Sequence, residues 1–323
     1  MKMERNLAMK NPRCHVILNP TAGGGKAGKE ASRILAGIRR SLGGGYTLYL
    51  TRKPLDATAM AREVILDGAE LVVAVGGDGT IQEVVNGFFI DGRLISLGCQ
   101  LGIINTGTGQ GFAQSLGLPA NIESQCEVVA SGGVRRLDVG RVSFADGNGE
   151  PGFRYFVNEC QAGIGGIVVE NVRSQHKRLG GTLAFGLKTL AAAMSFPEPE
   201  ITVSIDGCPG QTGKFIGVVA ANGKFTAGGM RLTPRADVGD GLLDFLFIKE
   251  QTLLERLKNF PKIYSGRHLG SPQFNCHQGK TLSLDSEQKV LFEADGELLG
   301  CLPCDIEIRP SVLKVRALRS NQG

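Results

Sequence analysis

The run Leu71-Val-Val-Ala-Val-Gly76-Gly77-Asp78-Gly79-Thr80 closes an apolar stretch with three glycines and a carboxylate, and a helical pattern follows. Glycine lets the backbone come close to phosphate oxygens, and a helix start offers N–H groups and a positive dipole end. Asp78 could hold Mg²⁺ through water or orient phosphates, although Asp-Gly also occurs as a plain turn. Two more glycine loops follow apolar runs. They are Asn19-Pro20-Thr21-Ala22-Gly23-Gly24-Gly25-Lys26 and Asn105-Thr106-Gly107-Thr108-Gly109. Loops of one kind, each after a strand of a parallel sheet, converge on one crevice and together favour phosphate binding.

Gly23 to Lys29 fits the spacing of a P-loop, but Glu30 stands where the Mg²⁺-binding hydroxyl belongs. That argues against a P-loop nucleotidase. Lys26 or Lys29 could reach a phosphate or be solvated helix charge. No G-x-G-x-x-G opens a helix, which argues against a dinucleotide-dependent dehydrogenase.

The second half holds two acidic motifs. Pro234 to Asp244 places Asp237 and Asp240 three apart among glycines, which suits a hard cation with oxygen ligands or a polar turn before a strand. Phe292-Glu-Ala-Asp295-Gly296-Glu297 reads as a hairpin tip, where Asp295 or Glu297 could accept a proton from a substrate hydroxyl. In phosphoryl transfer that role is modest beside positioning and charge neutralisation.

The elements that must position these residues fall into two blocks. Strands are predicted at Cys14–Leu18, Tyr46–Leu50, Leu71–Val75 and Leu101–Ile104, alternating with helices at Gly28–Ile38, Asp56–Asp67, Ile81–Phe89 and Phe112–Leu116. This is the pattern of a parallel sheet with helices on its faces. From Leu137 the pattern changes to strands at Asp138–Phe144, Tyr155–Cys160, Ile201–Ile205, Phe215–Ala221, Leu242–Ile248, Thr281–Leu284, Val290–Ala294 and Cys304–Ile308. These predict an antiparallel sandwich or barrel, interrupted by one helix at Gly181–Met194.

Composition narrows the class. The chain has 323 residues, enough for two domains, with 42% apolar and 21% charged residues. A net charge of +5, without a basic stripe and without Trp, argues against a dedicated nucleic-acid binder and suits a phosphate-rich ligand or an anionic membrane surface. Most of the eight cysteines sit in apolar runs, as free thiols of a reducing compartment do. Cys301-Leu-Pro-Cys304 lacks a second pair, which disfavours structural zinc. No apolar h-region follows the basic Met1–Arg13 stretch, so no signal peptide is expected. No run reaches the roughly 20 apolar residues of a spanning helix.

Taken in order, these motifs resemble the diacylglycerol kinase catalytic-domain family, with its sphingosine and ceramide kinase relatives and, more distantly, the NAD kinases. The resemblance runs from Cys14 to Arg316. It includes Glu83, Asn86-Gly87, Arg136-Leu-Asp138-Val-Gly140, Asn222-Gly223 and Gly228-Gly229 besides the loops above. It implies an α/β ATP-binding domain over 13–136, with a return segment at 312–319, and a β-rich lipid- and metal-binding domain over 137–311. ATP would lie against Asn19, Pro20, Thr21, Gly23, Thr51, Gly76, Gly77, Asp78, Gly79, Thr80, Ile81, Gln82 and Thr108. Asp237, Asp240 and the carbonyl of Leu242 would hold Mg²⁺. Glu297 would accept the proton of the lipid hydroxyl, and Asp78 would serve the nucleotide and its metal. The implied activity is an ATP-dependent lipid kinase of the cytoplasm that visits the membrane surface. A homodimer stays open.

One stretch departs from the family. Gly-Thr-Gly-Asn-Asp-Phe-Ala-Arg is replaced by Gly107-Thr-Gly-Gln110-Gly111-Phe112-Ala113-Gln114, and Gln82 stands where the family has Asn. The replaced Asp lies towards the substrate head group in relatives, and sphingoid-base kinases also lack it. That departure leaves the acceptor open: the resemblance puts diacylglycerol first, with a sphingoid base or another lipid alcohol as alternatives. An NAD kinase-like enzyme and a non-catalytic nucleotide-binding regulator are the rival readings.

Overall fold

The computed structural model describes residues 13–42, 45–107, 109–174 and 194–319. The expected helix at Gly181–Met194 falls almost wholly outside them.

The first block is a parallel sheet in the order β2 (Tyr46–Leu50), β1 (Cys14–Leu18), β3 (Leu71–Gly76), β6 (Gln100–Asn105). A small hairpin, β4 (Phe89–Ile90) and β5 (Arg93–Leu94), lies between the last two in sequence. Every residue of β3 is buried, as expected of a strand covered on both faces. Alternate side chains go to opposite sides. Val72, Ala74, Leu101 and Ile103 pack under α3 (Asp56–Leu66) and α4 (Asp78–Gly87). Val73, Val75 and Ile104 pack with Ile34 of α2 (Ala31–Leu42) and Val129 of α6 (Ile122–Ser131). The predicted Gly28–Ile38 helix is two helices, α1 (Ala22–Lys29) and α2, and α1 opens with Gly23, Gly24 and Gly25 at positive φ. A short α5 (Gly111–Ser115) follows the third glycine loop.

Two long antiparallel strands join this sheet to the β-rich part. β7 (Gly133–Ala145) and β17 (Cys304–Ala317) pair from Cys304↔Phe144 to Ala317↔Gly133, with a register shift between Arg309 and Leu313. At that end β17 also pairs in parallel with β6, through Lys314↔Gln100 and Val315↔Leu101. The buried Asp138 ties the shift down, accepting from the N–H of Ser311 and of Gly241 at 2.6 Å each.

The remaining strands are antiparallel: β8 (Pro151–Phe156), β9 (Glu159–Gly163), β10 (Glu200–Ile205), β11 (Gln211–Ala221), β12 (Leu243–Lys249), β13 (Phe274–Gly279), β14 (Thr281–Asp285), β15 (Leu291–Ala294) and β16 (Glu297–Cys301). β11 sends Val218 and Ala220 to one core and Ile216, Val219 and Ala221 to another. Over the second core lie α7 (Ile164–Ser174) and α8 (Leu253–Ser265), whose Ile164 and Ile263 pack there. The predicted strand Tyr155–Cys160 is split into β8 and β9. Between them the Asp295 carboxylate takes the N–H groups of Val157, Asn158 and Glu159, at 2.8, 3.0 and 3.0 Å, so the chain turns instead of pairing.

Candidate active site

The three glycine loops meet in backbone contact. A Cβ on Gly23 would sit 2.6 Å from the Thr106 carbonyl oxygen, and one on Gly107 would sit 2.7 Å from Gly77 Cα. Only glycine permits such approaches. Asn19 Nδ2 donates to Thr80 Oγ1 at 3.0 Å, while Asn19 Oδ1 accepts from the Thr21 N–H and hydroxyl at 3.0 and 2.8 Å. Gly24, Gly25 and Gly79 have no atom of the described residues within 4 Å of where a Cβ would stand, so the cradle is open there. The Thr106 hydroxyl is buried at the junction without a hydrogen-bond partner among the described residues. Gly77, the N-cap of α4, brings no capping side chain, which leaves the helix start to a ligand. An open, glycine-walled junction at a helix start fits the phosphates of a nucleotide. Pro20 and Thr51 bound it through backbone bonds, Gly28 N–H to Pro20 oxygen and Thr51 N–H to Leu18 oxygen, both 3.0 Å. Ile81 is fully buried in the core, so it can offer a ligand only backbone. Thr108 lies outside the described residues.

Asp78 closes this junction on its far side. Its carboxylate accepts from Asn105 Nδ2 at 3.4 Å and the Gly111 N–H at 3.3 Å. Burial pushes its pKa above the ordinary carboxylate value, against the pull of those hydrogen bonds. The same side chain lines a cavity of about 260 Å³ that runs into the β-rich part. Most of the wall is apolar: Phe112, Val168, Ile216, Met230, Leu232, Ile248 and Phe274. Around Asp78 the wall is acidic. Asp295, Glu293 and Glu159 line it too, and the Thr226 hydroxyl donates to Glu159. Burial raises Glu159 well above its ordinary value, aided by the charge of Glu293, and raises Asp295 to about 7.

Glu297 does not line this cavity. It sits on the flank of α4, where Oε2 accepts from Gln82 Nε2 and Oε1 from Arg154 Nη2, each at 3.2 Å. Gln82, expected at the nucleotide, thus faces the β16 hairpin instead. One helical turn on, Asn86 fixes β8 to α4 through the backbone of Tyr155.

Asp237 and Asp240 share one turn, as the sequence suggests. Asp237 is paired with Arg135 and also accepts from the Gly239 N–H at 3.0 Å. Asp240 accepts from the Leu242 N–H at 3.0 Å, and partial burial, then the charges of Asp237 and Asp138, raise its pKa. Crowded carboxylates beside a carbonyl suit a hard divalent cation, but Arg135 already occupies one of them. Among the described residues no group of three or more His, Cys, Asp or Glu is gathered for a metal.

The departing stretch has a steric reason. A Cβ on Gly111 would lie 2.7 Å from the Phe225 carbonyl oxygen, so the family's Asp has no room here. Gln110 takes a left-handed φ of 53° and donates to the Gly107 carbonyl at 3.2 Å. Sequence reasoning passed over Glu159, Glu293 and Arg154. A carboxylate inside the buried run Phe156-Val157-Asn158-Glu159-Cys160 was the available sign for the first.

The family model of the diacylglycerol kinase catalytic domain matches residues 13–142. That of the YegS C-terminal NAD kinase beta sandwich-like domain matches 158–317. A diacylglycerol kinase of Bacillus subtilis (strain 168) is 30% identical over 295 residues, covering 90% of this chain and 91% of that one. One from Staphylococcus carnosus is 25% identical, with 91% of each covered. A crystal structure of a putative diacylglycerol kinase from Bacillus anthracis superposes with a TM-score of 0.76 at 22% identity, covering 98% of both chains. Yeast NADH kinase, complexed with NADH, shares the fold at a TM-score of 0.53 and 12% identity, covering 97% of this chain and 85% of that one.

Proposed function

This chain belongs to the diacylglycerol kinase family, and from that premise we propose that it transfers the γ-phosphate of ATP to a lipid hydroxyl, diacylglycerol first. The observation that carries the reading is the position of Asp78, a common wall of the glycine-lined junction and the apolar cavity. Residues 13–136 with 312–319 would then bind the nucleotide, and 137–311 the acceptor.

The phosphates lie on the loops of Asn19 to Gly25, Gly76 to Thr80 and Thr106 to Gly107. The acyl chains lie in the cavity, which leaves the hydroxyl beside Asp78. That hydroxyl's oxygen bonds to the γ-phosphorus as the bond to the β,γ-bridging oxygen breaks, and ADP leaves with the electron pair. The hydroxyl proton goes to Asp78, whose buried carboxylate is a stronger base than a solvated one. Glu297, named by resemblance as the acceptor, is held by Gln82 and Arg154 and acts here as a positioning residue. Mg²⁺ would supply charge neutralisation for the phosphates. Asp237, Asp240 and the Leu242 carbonyl would hold a structural ion only with Arg135 displaced from Asp237.

A sphingoid base is the second reading. The buried Glu159 and Glu293 at the polar end of the cavity favour an acceptor that brings a cation or several hydroxyls. No helix among the described residues is long and apolar enough to cross a membrane, so the enzyme would meet its lipid from the bilayer surface.

The test is incubation with γ-labelled ATP and Mg²⁺ in mixed micelles of diacylglycerol or of sphingosine, with NAD as a separate acceptor. Labelled phosphatidic acid is the expected product. Labelled sphingosine phosphate would favour the second reading. Label on NAD, or ATP binding without any labelled acceptor, would overturn the proposal.

A further inference from the structure

The helix α8 presents two unlike faces. Its inner face forms the end of the cavity, with Phe260 and Ile263 half-buried in the wall and Arg256 and Asn259 buried. Arg256 is locked by the carbonyls of Gln251 and Phe196, at 3.1 and 3.0 Å, and by Glu198. Its outer face carries Leu253, Leu254 and Leu257, which are 58, 60 and 49% exposed. Leu253, Leu254, Leu257, Lys258 and Pro261 fall on one stripe by helical spacing, and all are exposed. The helix start is rigid, because Thr252 and Glu255 form a reciprocal capping box and Gln273 holds Glu255 at 2.6 Å. Three leucines on the first two turns of a capped helix are therefore presented to water.

Local charge says what such a face would meet. Between Lys249 and Arg267 lie five basic and two acidic side chains. Lys249, Lys258 and Arg267 are exposed, as is Glu250, while Arg256 and Lys262 are held within the protein and Glu255 is engaged in the capping box, which leaves an exposed excess of positive charge. Leucines flanked by solvated cations complement a bilayer that contains anionic lipid. The cavity points the same way. Its residues on the sheet, Ile216 and Ile248, are buried, whereas Val169 of α7 and Phe260 and Ile263 of α8 are half-exposed. The acid-lined end lies at Asp78, and the more open apolar end lies at these two helices.

We propose that the outer face of α8 is the surface by which this protein docks on an anionic phospholipid bilayer. A lipid then keeps its tails towards the bilayer and sends its hydroxyl along the cavity to Asp78. The inference builds on the lipid-kinase reading, but docking can be measured without turnover.

The experiment is co-sedimentation of the full chain with vesicles of phosphatidylcholine and phosphatidylglycerol. The triple variant Leu253→Ser, Leu254→Ser, Leu257→Ser is compared with the parent, and Lys258→Glu is run beside it. Because the leucines are exposed, both variants should fold, which circular dichroism checks. The parent is expected to bind, and the triple variant to lose about tenfold in vesicle affinity. Lys258→Glu should weaken binding to these vesicles but not to pure phosphatidylcholine. Phosphorylation of a short-chain, monomeric diacylglycerol should be unchanged in the triple variant. Equal vesicle binding by parent and triple variant overturns the inference. So does a dimer that dissociates on substitution with no vesicle binding, which would give the face to a second copy. If leucine-dependent binding persists but no lipid is phosphorylated, the docking surface stands and the kinase reading falls.

Discussion

Asn86 and Tyr155, 69 positions apart, are joined as closely as paired strands: Asn86 Nδ2 donates to the Tyr155 carbonyl at 2.9 Å, and Asn86 Oδ1 accepts from the Tyr155 N–H at 3.0 Å. The side chain also donates to the Gln82 carbonyl at 2.9 Å. One amide thus satisfies a buried peptide of β8 from inside α4, linking the helix that follows the Gly76–Thr80 loop to the β-rich part. Asn86→Ala would strand both groups in the core, and a buried unsatisfied backbone group costs about 1–3 kcal/mol. We expect the variant to lose roughly 2–3 kcal/mol in urea unfolding. Asn86→Asp keeps the acceptor but sets a carboxylate oxygen against the Tyr155 and Gln82 carbonyls, and should lose at least as much. Equal stability of parent and Asn86→Ala would mean that the two parts are not coupled through this residue.

The two candidate carboxylates separate by position. Asp78 lines the cavity and Glu297 does not. Asp78→Asn should lower kcat by about 100-fold or more while leaving ATP affinity within a few-fold, since general-base catalysis contributes about that much. Glu297→Gln keeps a group for Arg154 and Gln82 to hold, and should cost less than about tenfold. Asp78 must be ionised to take a proton. Because burial raises its pKa, the acid limb of kcat/KM should lie above the usual carboxylate range and vanish in Asp78→Asn. The reverse order of the two effects would return the proton to Glu297.

Much of the first block was legible because parallel strands buried on both faces read as continuous apolar runs. Cys14–Leu18 appears with the predicted bounds, and Leu71–Val75 gains only Gly76. The loops were legible from their glycines, which are required where Gly23 meets Thr106 and Gly77 meets Gly107. The split of β8 from β9 was not, because its cause is Asp295, well over a hundred residues downstream. Helix α8 was missed although Thr252 and Glu255 spell a capping box, because Pro261 inside it reads as a breaker. Nor could spacing show that Gln82 faces Glu297, since that contact depends on how the β16 hairpin is laid on α4.

The acid-lined end of the cavity should make stability depend on pH. Burial raises Asp295 to about 7 and Glu293 to about 8 in the folded chain, while both ionise near their ordinary values once unfolded. A raised carboxyl pKa means that the folded state holds the proton more tightly. The resulting stability is full below the unfolded values and is lost as pH rises through the folded ones. Between pH 6 and pH 9 the melting temperature should therefore fall, by roughly 2–4 °C for each kcal/mol involved. Glu293→Gln stays neutral and can still accept from the Gly296 N–H, which meets Glu293 at 2.7 Å. Its melting temperature should vary less over this range and exceed the parent's at pH 9. A parent whose stability rises with pH would contradict the burial of these carboxyls.

The cavity itself can be filled by one substitution in its apolar wall. Val168 lies on α7, is 7% exposed and lines the cavity, which Asn19 and Gly79 do not. Val168→Phe places a ring where the acceptor's chain would run, in space the fold already leaves open, so packing strain should stay within about 1–3 kcal/mol. ATP affinity should be unchanged. Turnover of a long-chain diacylglycerol should fall at least about tenfold, mainly through KM, because what is lost is binding common to the ground and transition states. A short-chain analogue that stops before Val168 should be spared. If long and short acceptors fall together, the ring has disturbed Asp78 or the fold. If neither falls, the lipid runs elsewhere, and the apolar cavity is not the acceptor site.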